Sequence, residues 1–322
     1  MQRVETTLGS SLRSLYLPMR PWKPQPSWRL WAALLALALA LAATLALLLP
    51  VGAALARPPA SWPVDGALFA RLLAGLGMLL LSGVLAYRAA AALTLSYAID
   101  RNGLYIFWLG NRAVLPLQQI ESIEIGLAAP PTLADTLRSI GYFHGRARLP
   151  GGRVVHRFST VPLTQALVLH TASDSYAISP QDAEAFVQDL EQRRRLGAVQ
   201  QLAPGIEAGR AFFYAFWENP VIRPAVMIAV LLNLALLGWL MTLYPGLPPM
   251  IDIRTDAVGS TAILAPRHQI LFLPLAGAAV GLLNLGLGLT FYRREPAGAQ
   301  LLQLASAGAQ LLFIVAALSI LR

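Results

Sequence analysis

In the stretch HGRARLPGGRVVHRFS, residues 144–159, His144, Arg146 and Arg148 stand two apart before Gly151-Gly152, and Arg157 follows them. Residues two apart on a strand share a face. If the two glycines form the whole turn, Arg146 lies opposite Arg157, Arg148 opposite Val155 and His144 opposite Ser159. Arg146, Arg148 and Arg157 then crowd one face, and like charges directly opposed weaken a ladder. No acidic residue occurs between Asp135 and Asp174 to relieve them. The chemistry such a face offers is contact with an anion, most simply the headgroups of an anionic leaflet, at about 1 kcal/mol per cation near the surface. A solvated face, or one neutralised by Glu121, Glu124 or an acidic helix residue, is the plainer alternative and the stronger one.

Other polar groups suggest less chemistry. The four histidines, His144, His156, His170 and His268, have no short fixed spacing, and cysteine is absent. A zinc site needs three or four converging ligands, so neither a metal nor a cofactor is expected. Asn233, Asn284 and Gln310 fall near mid-depth of three apolar runs, where such side chains hydrogen-bond between helices, and Gly277 and Gly281 form a GxxxG pair suited to close helix packing. An ion or proton path would want a charged residue in those cores, and they contain none. Asp252 and Asp256, a candidate carboxylate pair, are expected to be solvated in an external loop. There is no G-x-S-x-G, P-loop, H-E-x-x-H or dinucleotide fingerprint, so catalysis is not expected. Nucleic-acid binding is not expected either, because the aromatics are committed to core and interface.

The elements that position these residues follow from hydropathy. The chain has 322 residues, 56% hydrophobic and 13% charged, with mean hydropathy +0.57. Soluble domains carry about 25% charged residues, so much of this surface must face lipid. Net charge is +9, and Lys23 is the only lysine among the cationic residues. Five runs are long enough to span a bilayer, which takes roughly 20 apolar residues. They cover 31–50, about 67–92, 225–243, 270–292 and 301–321. Ala54-Leu55-Ala56 resembles a signal cleavage site, but the tail before the first run is long and the run itself exceeds a usual signal core.

Cationic residues near the span ends set orientation. With the N-terminus inside, Arg3, Arg13, Arg20, Lys23, Arg29, Arg88, Arg101, Arg210, Arg223, Arg293 and Arg294 are cytoplasmic, against Arg57, Arg71, Arg254, Arg267 and Arg322 outside. That places the N-terminus and the middle segment in the cytoplasm and the C-terminus outside, in a bacterial inner membrane. The aromatic run FFYAFW, 212–217, precedes the third span as an interfacial belt would.

Between the second and third runs the period changes to two. Leu93, Leu95, Tyr97 and Ile99 alternate with polar or small residues, as in a half-buried strand. Asn102-Gly103 predicts a type I′ turn, Gly110-Asn111 another, and Pro116 an edge or break. Further strands are expected around Gly151-Gly152 and in ALVLHT and SYAIS. Ser179 as N-cap, Pro180 and Asp182 predict a helix start. Ala183, Phe186, Val187 and Leu190 then form one apolar stripe, closed by Arg193, Arg194 and Arg195.

About seven short strands capped by a helix, with SYAIDRNGLYIFWLGNRAVLPLQQIESIE at the start and SYAISPQDAEAFVQDLEQRR at the end, resemble bacterial PH-like domains over residues 91–196. The resemblance implies an assembly or interaction module. The last three spans bear a weaker likeness to a membrane domain of some toxin-immunity proteins, with a departure at Ile253-Arg254, where that domain has His-Phe.

The expected architecture is a five-span α-helical membrane protein with an inserted antiparallel-β domain capped by a C-terminal helix. Its parts are a disordered tail (1–28), two spans (29–92), the cytoplasmic PH-like domain (93–200), a juxtamembrane linker (201–221) and three spans (222–322). The expected function is a non-catalytic regulatory or scaffolding role. Its partners would be the bilayer and a protein or second copy bound through the PH-like domain. A transport, channel or toxin-immunity role carried by the spans is the alternative.

Overall fold

A computed structural model describes residues 20–127, 142–148, 154–198, 200, 202, 205–207, 211–252 and 264–321. Two compact units make up the chain, residues 1–40 with 81–209, and residues 41–80 with 210–322.

In the first unit, strand β1 (Arg20–Trp22) precedes helix α1 (Trp28–Leu55). Helix α2 (Gly66–Thr94) leads into β2 (Ser96–Ile99), β3 (Gly103–Trp108), β4 (Asn111–Pro116) and β5 (Ser122–Ile125). Then come β6 (Phe143–Arg148), β7 (Val154–Ser159), β8 (Leu167–His170), β9 (Ser175–Ile178), helix α3 (Ala183–Leu196) and β10 (Gly205–Glu207). Two sheets form, in the orders β1-β2-β3-β4-β10 and β5-β8-β9-β7-β6. Neighbours are antiparallel except β7 and β9, which run parallel because β9 inserts between β8 and β7.

Period-2 alternation turns Tyr97, Ile99, Leu104, Ile106, Ala113 and Leu115 of the first sheet toward Phe158, Leu167, Leu169, Tyr176 and Ile178 of the second. Helix α3 closes this core with Phe186 and Leu190, four residues apart on one face and both fully buried. Each such side chain contributes roughly 2 kcal/mol by leaving water. The helix starts one turn later than the Ser179 cap implied. Asp182 is the N-cap and accepts from Ala185 N at 3.0 Å. Ser179 is drawn inward instead, accepting from Thr160 N at 2.9 Å.

Both hairpin turns differ from expectation in a way side chains explain. Asp100 Oδ1 accepts from the amides of Asn102 and Gly103 at 2.7 Å each, so neither residue needs a positive φ. In the next hairpin Trp108 pairs with Asn111. The two-residue loop is therefore Leu109-Gly110, with φ of 45° and 76°, the signs a type I′ turn requires. Leucine is a poor choice there. Its amide donates to Thr94 Oγ1 at 3.0 Å, and its side chain packs on the core.

The tail expected to lack structure is ordered where it meets the domain. Strand β1 pairs with β2, Pro24 bridges Pro180, Gln25 N donates to Ser179 O at 2.7 Å, and Gln181 N donates to Lys23 O at 2.9 Å. Trp22 is buried edge-on to Phe186, their ring centroids 5.5 Å apart. Residues 1–19 lie outside the described residues. The linker is likewise partly structured, for β10 adds to β4.

The second unit holds α4 (Ala211–Glu218), α5 (Ile222–Leu243), the hairpin β11 (Met250–Asp252) and β12 (Leu264–Pro266), α6 (Phe272–Phe291) and α7 (Pro296–Leu321). The aromatic run expected as a belt is thus a short separate helix. Asn219 Oδ1 accepts from Val221 N and Ile222 N, and so starts α5. Arg267 Nη1 donates to Leu247 O at 3.1 Å and its guanidinium lies over the Tyr244 ring at 4.7 Å, fastening the chain at the end of α5. Among the described residues five helices are long and apolar enough to cross a membrane, α1, α2 and the segments containing α5, α6 and α7. The chain is therefore a multi-span membrane protein with a β-domain between its second and third spans.

Trp→Ala changes in a core typically cost about 3–5 kcal/mol. We expect Trp22→Ala to fall at the lower end, seen as lost hydrogen-exchange protection in β2 and α3 of the intact protein. Unchanged protection would show that residues 20–25 lie on the domain without supporting it.

Candidate functional site

In the β6–β7 ladder Arg148 pairs with Val154 rather than with Val155. The register is therefore one residue away from the one a two-glycine turn implies. Arg146 now pairs with His156, and Arg157 pairs with Gly145. A one-residue slip sends side chains to opposite faces. Arg146 and Arg157 therefore do not share a face, and the expected three-arginine surface does not form. Arg146 is exposed, whereas Arg157 is only 8% exposed, beside the small cluster of Val155, Val168 and Ala177. The side chains of His144 and Arg148 lie outside the described residues.

What the register does build is a cavity. It is a half-open hollow of about 400 Å³, lined by Arg146, His156, Tyr176, Thr171, Ser173 and Asp174 from the second sheet, and by Leu115, Gln119 and Gly205 from the first sheet and its flanks. Its floor is buried, with His156 at 8%, Tyr176 at 7% and Thr171 at 4% exposure. Arg146, Gln119 and Ser173 at the rim are exposed. Local sequence explains the shape. Thr171 and Asp174 close the β8–β9 turn, Thr171 Oγ1 donating to Asp174 O at 2.8 Å while Asp174 N donates back at 3.1 Å. This turn aims the Asp174 carboxylate at the histidine.

His156 stacks on Tyr176 with centroids 5.1 Å apart, and its Nε2 lies 3.8 Å from Asp174 Oδ1. Burial pushes its pKa below the ordinary histidine value; the Asp174 carboxylate opposes that shift and Arg146 adds to it. The Tyr176 hydroxyl is raised, chiefly by burial and next by Asp174. At neutral pH the cavity thus offers one cation, one carboxylate, a neutral imidazole and hydroxyl groups. Such a set can donate and accept hydrogen bonds on all sides without net charge. Sequence reasoning missed Asp174, Tyr176 and Gln119, since they converge only once β9 inserts beside β7.

His156 and His170 do not converge. His170 sits on the other face from His156, with Nδ1 2.8 Å from Ser175 Oγ and Nε2 3.5 Å from Glu124. Among the described residues no three His, Asp or Glu side chains are grouped to hold a metal.

In the second unit Asn233 Nδ2 donates to Pro274 O at 2.8 Å and to Gln310 Oε1 at 3.0 Å, and Gln310 Nε2 donates to Gly277 O at 2.8 Å. Asn284 Nδ2 donates to Ser306 Oγ at 3.0 Å, and Gln303 Nε2 to Asn284 O at 2.8 Å. Gly277 leaves space for the two amides rather than for a helix backbone. Gly281 faces open space, so the GxxxG pair does not act as a unit. On the same helix α6 Gly288 is constrained too, against Gln303.

The family described as Bacterial PH domain matches residues 95–194. The β-domain between the spans is a bacterial PH domain. The match covers β2 to most of α3, so both sheets of the cavity lie in the PH domain, while β1 and β10 are additions at its edges. No curated protein and no solved structure matches the chain. The toxin-immunity likeness of the last spans gains no support, and its Ile253-Arg254 loop lies outside the described residues.

Two outcomes follow from this geometry. Because His156 is held below its ordinary pKa, it is neutral in both folded and unfolded chains above about pH 6.5. As pH falls past that point the unfolded chain takes the proton first, so stability drops until the folded pKa is reached. His156→Gln should flatten this acid limb of the melting temperature, and a profile identical to wild type would place the limb on other groups. In the spans, a Cβ at Gly277 would overlap Gln310 and Asn233, whereas one at Gly281 meets nothing. Gly277→Ala should therefore cost about 1–3 kcal/mol and Gly281→Ala almost nothing, as judged from thermal unfolding in detergent.

Proposed function

We propose that this is a non-catalytic regulatory or scaffolding protein of a bacterial inner membrane. Its PH domain lies on the cytoplasmic side and engages a protein partner, or a second copy of the chain, through the Arg146–His156–Asp174 cavity. The cavity supports this, because its floor is buried and polar while its rim is exposed. Balanced charge suits a polar stretch of polypeptide, with its own donors and acceptors, better than a multiply charged phosphate. The non-catalytic reading is supported by the hydroxyls of the β8–β9 turn. Thr171 donates within its own turn, and Ser173 lies 3.4 Å from the Asp174 carboxylate. The polar seam of the spans supports packing over transport, since Asn233, Asn284 and Gln310 each donate to a neighbouring helix.

Crosslinking in native membranes tests this by comparing intact protein with a chain lacking residues 93–200 and with the charge reversals Arg146→Glu and Asp174→Lys. A partner or self-oligomer ladder should disappear with the deletion and weaken several-fold with either reversal. Recovery of the same products from the deletion would assign the work to the spans. Loss with the deletion but not with the reversals would move the contact elsewhere on the PH domain.

A further inference from the structure

Two arginines on different membrane helices converge on one dipeptide at the start of β6. Arg88, six residues before the end of α2, donates from Nη2 to Tyr142 O at 2.6 Å. Arg29, the second residue of α1, places its guanidinium 5.3 Å from the Phe143 ring centroid and 6.0 Å from that of Trp28. A guanidinium carries five N–H donors in a rigid fork. Arg88 uses one of them, and its buried Nε has no partner. Arg29 is held by ring faces, which engage the plane of the guanidinium and leave its N–H edge. Among the described residues neither arginine has a carboxylate partner.

We propose that Arg29 and Arg88 together bind the phosphate of an anionic phospholipid headgroup beside Tyr142-Phe143. The location argues for lipid over a dissolved anion. Both cations sit at the domain-proximal ends of spans, and Arg88 is about 9 Å of helix from its end, within reach of the interface by snorkelling. Trp28 and Trp31, each 74% exposed, mark headgroup depth in the same turn as Arg29. Leu35 and Leu39, each 63% exposed, continue from Trp31 at helical spacing and give an acyl chain an apolar surface. This site is separate from the cavity and does not depend on a protein partner.

The test is lipid titration of the intact, delipidated protein followed by native mass spectrometry, with phosphatidylglycerol and phosphatidylcholine as probes. Wild type should prefer phosphatidylglycerol. Arg29→Gln should weaken that binding about fivefold and the pair Arg29→Gln, Arg88→Gln about twentyfold, while Arg194→Gln, Arg195→Gln leaves it intact. Among the described residues Arg29 makes no side-chain hydrogen bond, so its single variant keeps the test decisive if loss of Arg88 impairs folding. Equal binding of the two lipids, an unchanged preference in Arg29→Gln, or displacement of phosphatidylglycerol by inorganic phosphate would overturn the assignment.

Discussion

One buried hydroxyl holds the PH domain and its added strap together. Tyr97 Oη, on β2 of the first sheet, donates to Phe158 O of β7 in the second at 2.8 Å and accepts from Ser179 N at 3.1 Å. Ser179 Oγ in turn accepts from Thr160 N, and Thr160 Oγ1 donates to Gln25 O at 2.6 Å. Both sheets, the approach to α3 and the segment before α1 thus meet at one fully buried side chain. Burial drives the Tyr97 pKa well up, so the group stays a neutral donor. A buried polar group left without partners costs about 1–3 kcal/mol. Every element at this junction is therefore constrained by the others, and the domain cannot shed the strap without exposing or orphaning the network.

The same economy governs the spans. Lipid offers no hydrogen bonds, so a polar side chain between helices either finds a partner or is costly. Gln303, Ser306 and Gln310, spaced three and four apart on α7, are each 1% exposed and form a polar stripe that α6 answers with its carbonyls and Asn284. The stripe needs small residues opposite, and Gly277 and Gly288 supply the room. Packing here is specified by directional bonds between apolar helices whose outer surfaces would otherwise fit many ways.

Much of this was legible in the sequence where a single period dominates. The five spans and the α3 stripe of Phe186, Val187 and Leu190 depend on local spacing, and the structure has them close to where spacing puts them. Asn233, Asn284 and Gln310 were visible as polar residues in apolar runs. Their partners Gln303 and Ser306 were not, because they lie near the start of the last run rather than at mid-depth. Misread positions were those where a side chain overrides local preference. Asp100 caps the amides of Asn102 and Gly103 and removes the need for a left-handed turn, while Thr94 and the core hold Leu109 in one. The strap was hidden for a further reason. Arg20-Pro21-Trp22 has no strand period of its own and becomes a strand only because β2 presents an open edge and Phe186 a ring for Trp22.

Register decides what this domain can bind. With a two-residue turn at the glycines, Arg146 would have opposed Arg157 and the sheet would have carried a basic face. In the register observed, Arg157 turns toward Val155 and Ala177, and Arg146 toward His156 and Tyr176. The cost of opposing two cations vanishes, and a mixed cavity replaces a uniform anion surface. Cationic contact with the membrane then passes to residues whose position the spans themselves dictate. Arg29 and Arg88 need no β register to reach the interface, because each sits within two turns of the domain-proximal end of its helix. The one-residue slip thus accounts for the neutral cavity in the sheet, while the paired cations follow from the helices alone.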